Sequence, residues 1–243
     1  VACTEFGTPL LDNVFEQAAD RAQHAVLGFV NSDIVLTPSV AAALGQISQS
    51  RWLLIGKRRN LGIERALEFS PDWEHRLETE FVDNGTLGAS NAIDYFLFPR
   101  SVLAPLPPFV VGRPRWDNWF VADALRRSLP VIDGSQMIAA YHQNHDYSHI
   151  PGQRGNRWWG PEADQNQKLF ERDFSWLPLM TIDDATHVLM ANGLRVNTAR
   201  AHSKQIYWML RHGNATRWYF RLKLLGHPIR FIKVLCSKRK VVQ

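Results

Sequence analysis

Short apolar segments alternate with amphipathic segments along residues 1–150, and this alternation limits the folds that are open to the chain. The apolar run 25–30 is followed by a helical pattern that Thr37-Pro38 opens, and then by a second apolar run at 51–57. Strands separated by helices are typical of βαβ units, because two parallel strands need a long crossover connection. We therefore predict an α/β fold with a mixed, mostly parallel sheet and flanking helices.

Apolar spacing locates the other elements. Helices are indicated by apolar residues three or four positions apart after a capping residue, and strands by short apolar runs that end at turn residues. The predicted helices begin near Thr8-Pro9, Thr37-Pro38, Ser70-Pro71 and Trp116, and the predicted strands cover residues 25–30, 51–57, 93–98, 131–133 and 137–142.

The charge of the chain is unevenly distributed. Its 243 residues carry a net charge of +5, but residues 201–243 contain ten Lys or Arg and no Asp or Glu, which leaves 18 basic and 23 acidic residues in positions 1–200. Because these charges are interleaved with Trp, Tyr, Phe and Leu, we predict a basic amphipathic helical tail after a body at residues 1–200. The tail would bind an anionic membrane surface or nucleic acid, or its apolar residues would pack on the body.

Composition excludes several classes of protein. A hydrophobic content of 45% and a charged content of 21% are ordinary for globular domains and exclude wholesale disorder. No apolar run approaches the roughly 18 residues of a membrane-spanning helix, and the first residues lack a signal peptide's basic and apolar regions, so we expect a cytoplasmic protein, with a peripheral membrane position if the tail binds lipid. Cys3 and Cys236 exclude a disulfide framework and a four-cysteine zinc site, but leave a single disulfide open.

The first candidate site is Asn31-Ser32-Asp33, which ends an apolar strand. Ligands of open α/β sheets bind just beyond the carboxyl ends of strands. A carboxylate there suits a hard divalent cation that bridges phosphate oxygens. The alternative is that Asp33 only caps a turn.

The second candidate site lies at Arg113-Pro114-Arg115-Trp116-Asp117-Asn118-Trp119. Trp116 and Trp119 could form a stacking surface for an acceptor sugar, with Asp117 as a general base and Arg113 beside an acidic acceptor or phosphate. The alternative is that Asp117 caps a helix and both tryptophans belong to the core.

The third candidate site is a run of three histidines. His142 is expected to end a strand, and His145 and His149 to follow in a loop. The spacing is not that of a zinc hydrolase, so we predict that His142 reaches a metal. For His145 and His149, hydrogen bonding within a polar loop is favoured.

The order of these features resembles the GT-A fold of nucleotide-sugar-dependent glycosyltransferases over residues 25–150. The features that carry the resemblance are the Asp-x-Asp-like triplet at 31–33, the strand at 94–100, Pro107-Pro108-Phe109, the Trp-Asp-Asn-Trp helix, the strand at 130–133 and Ala140-Tyr141-His142.

This resemblance implies a set of roles. Asp33 would bind Mn²⁺ or Mg²⁺, with Asn31 in place of the family's first Asp, and His142 would complete the metal shell. Asp94 would line the donor-sugar pocket, and Asp117 falls where inverting members keep their base. The family's first βαβ unit, which holds the nucleotide base, would precede Val1.

The resulting hypothesis is a metal-dependent, inverting glycosyltransferase that moves a sugar from a nucleotide diphosphate to a hydroxyl of a glycan or lipid-linked acceptor. Two alternatives remain open. One is a nucleic-acid-binding module that uses the basic aromatic tail, which the net charge of −5 on residues 1–200 disfavours. The other is a metal-dependent hydrolase or nucleotidyltransferase on a similar sheet.

Overall fold

The structure is a computed structural model that describes residues 1–145, 159–175 and 179–198. Within these ranges the chain forms five α-helices and two β-sheets, so the predicted α/β class is confirmed. The predicted basic tail at 201–243, His149 and Cys236 lie outside the described residues.

The helices and strands have the following bounds. The helices are α1 (Leu11–Arg21), α2 (Ser39–Gly45), α3 (Trp73–Asn84), α4 (Trp116–Arg126) and α5 (Pro161–Phe174). The strands are β1 (Val26–Val30), β2 (Ile34–Leu36), β3 (Leu53–Ile55), β4 (Arg59–Leu61), β5 (Thr86–Leu87), β6 (Tyr95–Pro99), β7 (Val131–Asp133), β8 (Ala140–Gln143), β9 (His187–Met190) and β10 (Gly193–Val196).

The larger sheet has the strand order β1-β6-β3-β7-β9-β10. Its central strands β3, β7 and β9 are parallel, whereas β1, β6 and β10 pair in the antiparallel direction. All three residues of β3 are buried, as expected for a central strand that is covered on both faces. The sheet is therefore mixed, and parallel pairing is confined to its centre rather than prevailing throughout.

The smaller sheet has the order β2-β8-β4-β5. Strand β8 pairs antiparallel with β2 and parallel with β4, and β5 pairs antiparallel with β4. The chain passes directly from β1 in the larger sheet to β2 in the smaller sheet through residues 31–33. This crossing is the feature of the fold that positions the candidate site.

Helix α4 covers the larger sheet with aromatic side chains. Trp116 packs on Phe29 and Phe96, with ring centroids 4.7 and 4.9 Å away, and Phe120 packs 5.3 Å from Phe98 further along the same strand. These contacts fix the direction of the helix, because Trp116 in its first turn lies over the end of β1, and Phe120, one turn later, lies over Phe98 of β6.

Several element boundaries differ from the prediction. Helix α1 begins at Leu11 rather than at Pro9, because Pro9 forms an isolated β-bridge with Cys3. Residues 137 and 138 belong to a turn on Gly134, and β8 begins only at Ala140. No helix among the described residues is both long and apolar enough to cross a membrane.

Candidate functional site

The turn between the two sheets places Asp33. The backbone N–H of Ile34 donates to the carbonyl of Asn31 at 3.1 Å, which closes a tight turn. Ile34 then lies opposite His142 in the β2–β8 pair, and the carbonyl of Asp33 accepts the N–H of Gln143 at 2.9 Å. The antiparallel pairing of β2 with β8 thus brings Asp33 close to His142, although the two residues are more than 100 positions apart in the sequence.

Asp33 lies against two histidines. Its Oδ2 atom is 3.3 Å from Nε2 of His142 and 2.9 Å from Nε2 of His145. One potential ligand atom from each of the three residues lies within 4.8 Å of the other two. His142 is buried, Asp33 is half-buried and His145 is exposed, so the cluster opens to solvent on the His145 side.

Several buried atoms of this cluster have no hydrogen-bond partner among the described residues. They are Oδ1 of Asp33 and both ring nitrogens of His142, since the 3.3 Å contact with Asp33 lacks hydrogen-bond geometry. Oδ1 of Asn60, the residue opposite His142 in the β4–β8 pair, is unsatisfied as well. Buried polar atoms are normally paired, so an unpaired group here is consistent with a place for a ligand.

The electrostatics of Asp33 favour its charged form. Burial raises the pKa of its carboxyl, but the adjacent imidazoles of His142 and His145 outweigh burial and hold the pKa well below its usual range. An ionised carboxylate with two imidazole nitrogens is a donor set that binds divalent ions such as Zn²⁺, Fe²⁺ and Mn²⁺. The residues present therefore fit a metal ion.

The predicted pairing of Asp33 with His142 is consistent with this geometry, and the structure adds His145. Sequence reasoning favoured a polar-loop role for His145, because a loop histidine carries no periodic signal. Its position three residues after His142, just beyond the end of β8, is the signal that could have identified it.

A second polar group lies directly before Asp33. Nδ2 of Asn31 donates to Oδ1 of Asp94 at 2.7 Å, and the Asn31 backbone N–H donates to the Asp94 carbonyl at 2.9 Å. A guanidinium NH of Arg58 donates to Oδ2 of Asp94, also at 2.9 Å. Asp94 is only 5% exposed. No sequence pattern indicates the Arg58–Asp94 ion pair.

Asp117 lies in the first turn of α4 and is half-buried, and its Oδ1 accepts the N–H of Asn118 at 2.9 Å. Because Trp116 packs over Phe29 and Phe96, this turn lies at the same end of the larger sheet as Asn31 and Asp94. The residue before the helix, Arg115, has a φ of +88°, a conformation that is costly for a residue with a side chain.

The three predicted acceptor-binding residues have structural partners. Trp116 and Trp119 are 6% and 3% exposed, and Nε1 of Trp119 donates to Asp173 at 2.8 Å. Arg113 donates through two nitrogens to one carboxylate oxygen of Glu162, at 3.0 and 2.6 Å. The two tryptophans are core residues, which is the alternative that the sequence left open, and their buried rings offer no face for a sugar.

Comparison with known proteins gives no relative for this chain: no family model matches it, and neither a curated protein nor a solved structure was found to match.

Proposed function

We propose that the chain is a metal-dependent glycosyltransferase that uses a nucleotide-sugar donor. The observation that carries the proposal is the cluster of Asp33, His142 and His145, which the β1–β2 turn and strand β8 assemble at the end of a sheet strand. A carboxylate and imidazoles at such a position would hold a divalent cation that binds a diphosphate. The GT-A-like order of the sequence features supports the same proposal.

The chain's own residues would divide the work between binding and proton transfer. Asp33, His142 and His145 would hold Mn²⁺ or a similar divalent ion, with Asn31 and Asp94 bordering them. When bound, such an ion neutralises the charge that develops on the departing nucleoside diphosphate. Arg58 borders this group through its ion pair with Asp94.

Asp117 would act as the general base. Its carboxylate would take the proton of an acceptor hydroxyl, while that oxygen bonds to the anomeric carbon from the face opposite the diphosphate. The bond between the anomeric carbon and the diphosphate oxygen breaks with its electron pair on the diphosphate, so the configuration inverts. The half-buried position of Asp117 on the first turn of α4 is consistent with this role.

The acceptor would be a glycan or a lipid-linked sugar. The basic tail at 201–243 would place a lipid-linked acceptor within reach by binding an anionic membrane surface. The tail lies outside the described residues, so this part of the proposal rests on its ten basic residues and absence of acids. Liposome flotation with anionic lipid, with and without residues 201–243, tests it.

The proposal is tested by incubating the full chain with a panel of nucleotide sugars and saccharide or lipid-linked acceptors in the presence of Mn²⁺. We expect glycosylated product and free nucleoside diphosphate with at least one donor, and loss of both with EDTA and in Asp33→Ala. Asp20→Ala, an exposed position at the end of α1, is the matched control. Absence of transfer with every donor would overturn the proposal.

A second candidate is a metal-dependent hydrolase. Two imidazoles with one carboxylate are also the donor set of catalytic zinc sites, in which the metal activates water. Metal-supported hydrolysis of phosphate or carboxylic esters, without any sugar nucleotide and lost in His142→Ala, would favour this candidate over sugar transfer.

A further inference from the structure

We propose that Asp94 is a positioning residue that acts through Asn31, and that, as long as Asp94 lies opposite it, position 31 must carry an amide rather than a carboxylate. The inference rests on the proposed function, because it assigns Asp33 to a metal ion. It replaces the expectation that Asp94 contacts the donor sugar.

Asn31 and Asp94 are joined twice. The Asn31 backbone N–H donates to the Asp94 carbonyl, and its side-chain amide donates to the Asp94 carboxylate at 2.7 Å. The backbone bond continues the β1–β6 ladder one residue past its last strand pair, Val30 and Tyr95. The first residue of the turn that carries Asp33 is therefore fixed at both its main chain and its side chain.

Both carboxylate oxygens of Asp94 take part in the hydrogen bonds to Asn31 and Arg58. One carboxylate oxygen accepts from Asn31, the other accepts from Arg58 at 2.9 Å, and the residue is 5% exposed. A group that is buried and bonded at both oxygens serves as an anchor for its neighbours rather than as a contact for an incoming sugar. Hydrogen-bond partners behind metal ligands commonly set the ligand's orientation and the affinity for the metal.

The charge arrangement explains why position 31 is Asn. Asp94 contributes one negative charge and Arg58 one positive charge, so the pair is balanced. An aspartate at position 31 would place a second carboxylate against Asp94 and would remove the N–H donor. The turn would then move away from Asp94 and carry Asp33 with it. Asn31→Asp is thus expected to weaken metal binding although it adds a potential ligand.

The test compares Asn31→Asp, Asp94→Asn and the reciprocal double variant in the full chain. In the double variant, the amide at 94 donates to the carboxylate at 31 while its oxygen still accepts from Arg58, so donors, acceptors and net charge are all preserved. Mn²⁺ affinity is measured by titration calorimetry, and thermal unfolding is measured without metal. Asn84→Asp, an exposed position at the end of α3, adds the same charge as a control.

We expect Asn31→Asp to lower Mn²⁺ affinity by about tenfold or more, the double variant to recover most of the loss, and Asn84→Asp to change nothing. Unchanged Mn²⁺ affinity in Asn31→Asp, with or without a lower melting temperature, would overturn the positioning role. So would a double variant as weak as the single one. If the unsubstituted chain itself binds no Mn²⁺, both the inference and the proposed metal dependence are overturned.

Discussion

The two halves of the candidate site differ in how their polar groups are satisfied. On the side of α4, Arg113 and Trp119 are paired with Glu162 and Asp173 in the folded chain. On the side of the sheet junction, Asp33 and His142 are brought together but keep buried atoms without hydrogen-bond partners among the described residues. Both halves carried a functional hypothesis from the sequence. This difference shows that a residue of a functional type is a candidate ligand only where its polar side-chain atoms have no hydrogen-bond partner in the folded chain.

The largest expected effect concerns Asp117, the half-buried acidic residue in the first turn of α4. Asp117→Asn should lower sugar-transfer turnover by about a hundredfold to ten-thousandfold, because a positioned general base contributes that much to the rate. Donor binding should be unchanged, as measured by calorimetry alongside steady-state kinetics. Asp83→Asn, at an exposed position of α3, serves as the control. Transfer at the unsubstituted rate would remove Asp117 from the role.

The junction side is tested by its histidines. His142→Ala should lower Mn²⁺ affinity by at least about a hundredfold, since even residues behind a metal ligand change affinity by ten- to a hundredfold. His145→Ala should have a smaller effect, because this imidazole is exposed to solvent. Calorimetric titration measures both, and His75→Ala on the exposed face of α3 is the control. Equal Mn²⁺ binding by all three variants would contradict the assignment of the cluster.

A substitution at Glu162 tests whether the Arg113–Glu162 ion pair stabilises the fold rather than binding the acceptor. Glu162→Gln should lower the free energy of unfolding by about 3 kcal/mol near neutral pH, because it leaves the Arg113 guanidinium, whose side chain is only 14% exposed, without a counter-ion. Sugar-acceptor affinity should not change if Arg113 has only a structural role. Denaturant unfolding and transfer kinetics measure the two effects, and a raised acceptor KM with unchanged stability would restore Arg113 to the acceptor site.

The same variant has a defined pH dependence. Burial raises the pKa of the Glu162 carboxyl, but hydrogen bonds from Thr4 and Arg113 outweigh it, so the pKa is lower in the folded chain than its usual value. The carboxylate therefore stabilises the fold above the ordinary glutamate pKa of about 4.3, and this contribution disappears as the pH falls through the folded value. The stability difference between Glu162→Gln and the unsubstituted chain should be constant at neutral pH and shrink below about pH 4.

The smallest expected effect comes from a buried, unpaired polar atom that lies in the core rather than at the candidate site. The Tyr95 hydroxyl is also buried without a partner among the described residues, but it packs against Gly56 rather than against ligand atoms. Tyr95→Phe should leave Mn²⁺ affinity unchanged and alter the free energy of unfolding by less than about 1 kcal/mol, toward greater stability. Tyr141→Phe, which loses a hydrogen bond to Glu78, should be destabilising by about 1 kcal/mol. Weaker Mn²⁺ binding in Tyr95→Phe would contradict the assignment of the Tyr95 hydroxyl to the core rather than to the metal site.

Some of the larger elements could be predicted from the sequence, because the spacing of their apolar residues shows which face is buried. Helix α3 keeps Trp73, Leu77 and Phe81 four positions apart, and β3 is a continuous apolar run. Strands β9 and β10 were not predicted, and neither were β2, β4 and β5. The last three have only two or three residues each, which is too short to show a period. They acquire strand structure from pairing within the smaller sheet.

The candidate site was predictable only in part for the same reason. Asp33 follows an apolar strand and His142 ends one, so both could be named from local pattern. The contacts of Arg58 with Asp94 and of His145 with Asp33 join residues 36 and 112 positions apart. Nothing in a local window encodes such contacts, because they depend on which strands become neighbours. Trp119 shows the opposite error, since a tryptophan that suits a sugar also suits a core.

The short turn at residues 31–33 would make the stability of the smaller sheet depend on metal binding. Asp33 stands at the entrance to the smaller sheet, and His142 lies within that sheet, whose strands are only two to four residues long. An ion that both residues hold would cross-link this weak sheet to the end of β1, so its binding free energy would add to the local stability of strands β2 and β8. Chelation would then speed amide hydrogen exchange in β2 and β8 while leaving β3 and β7 protected.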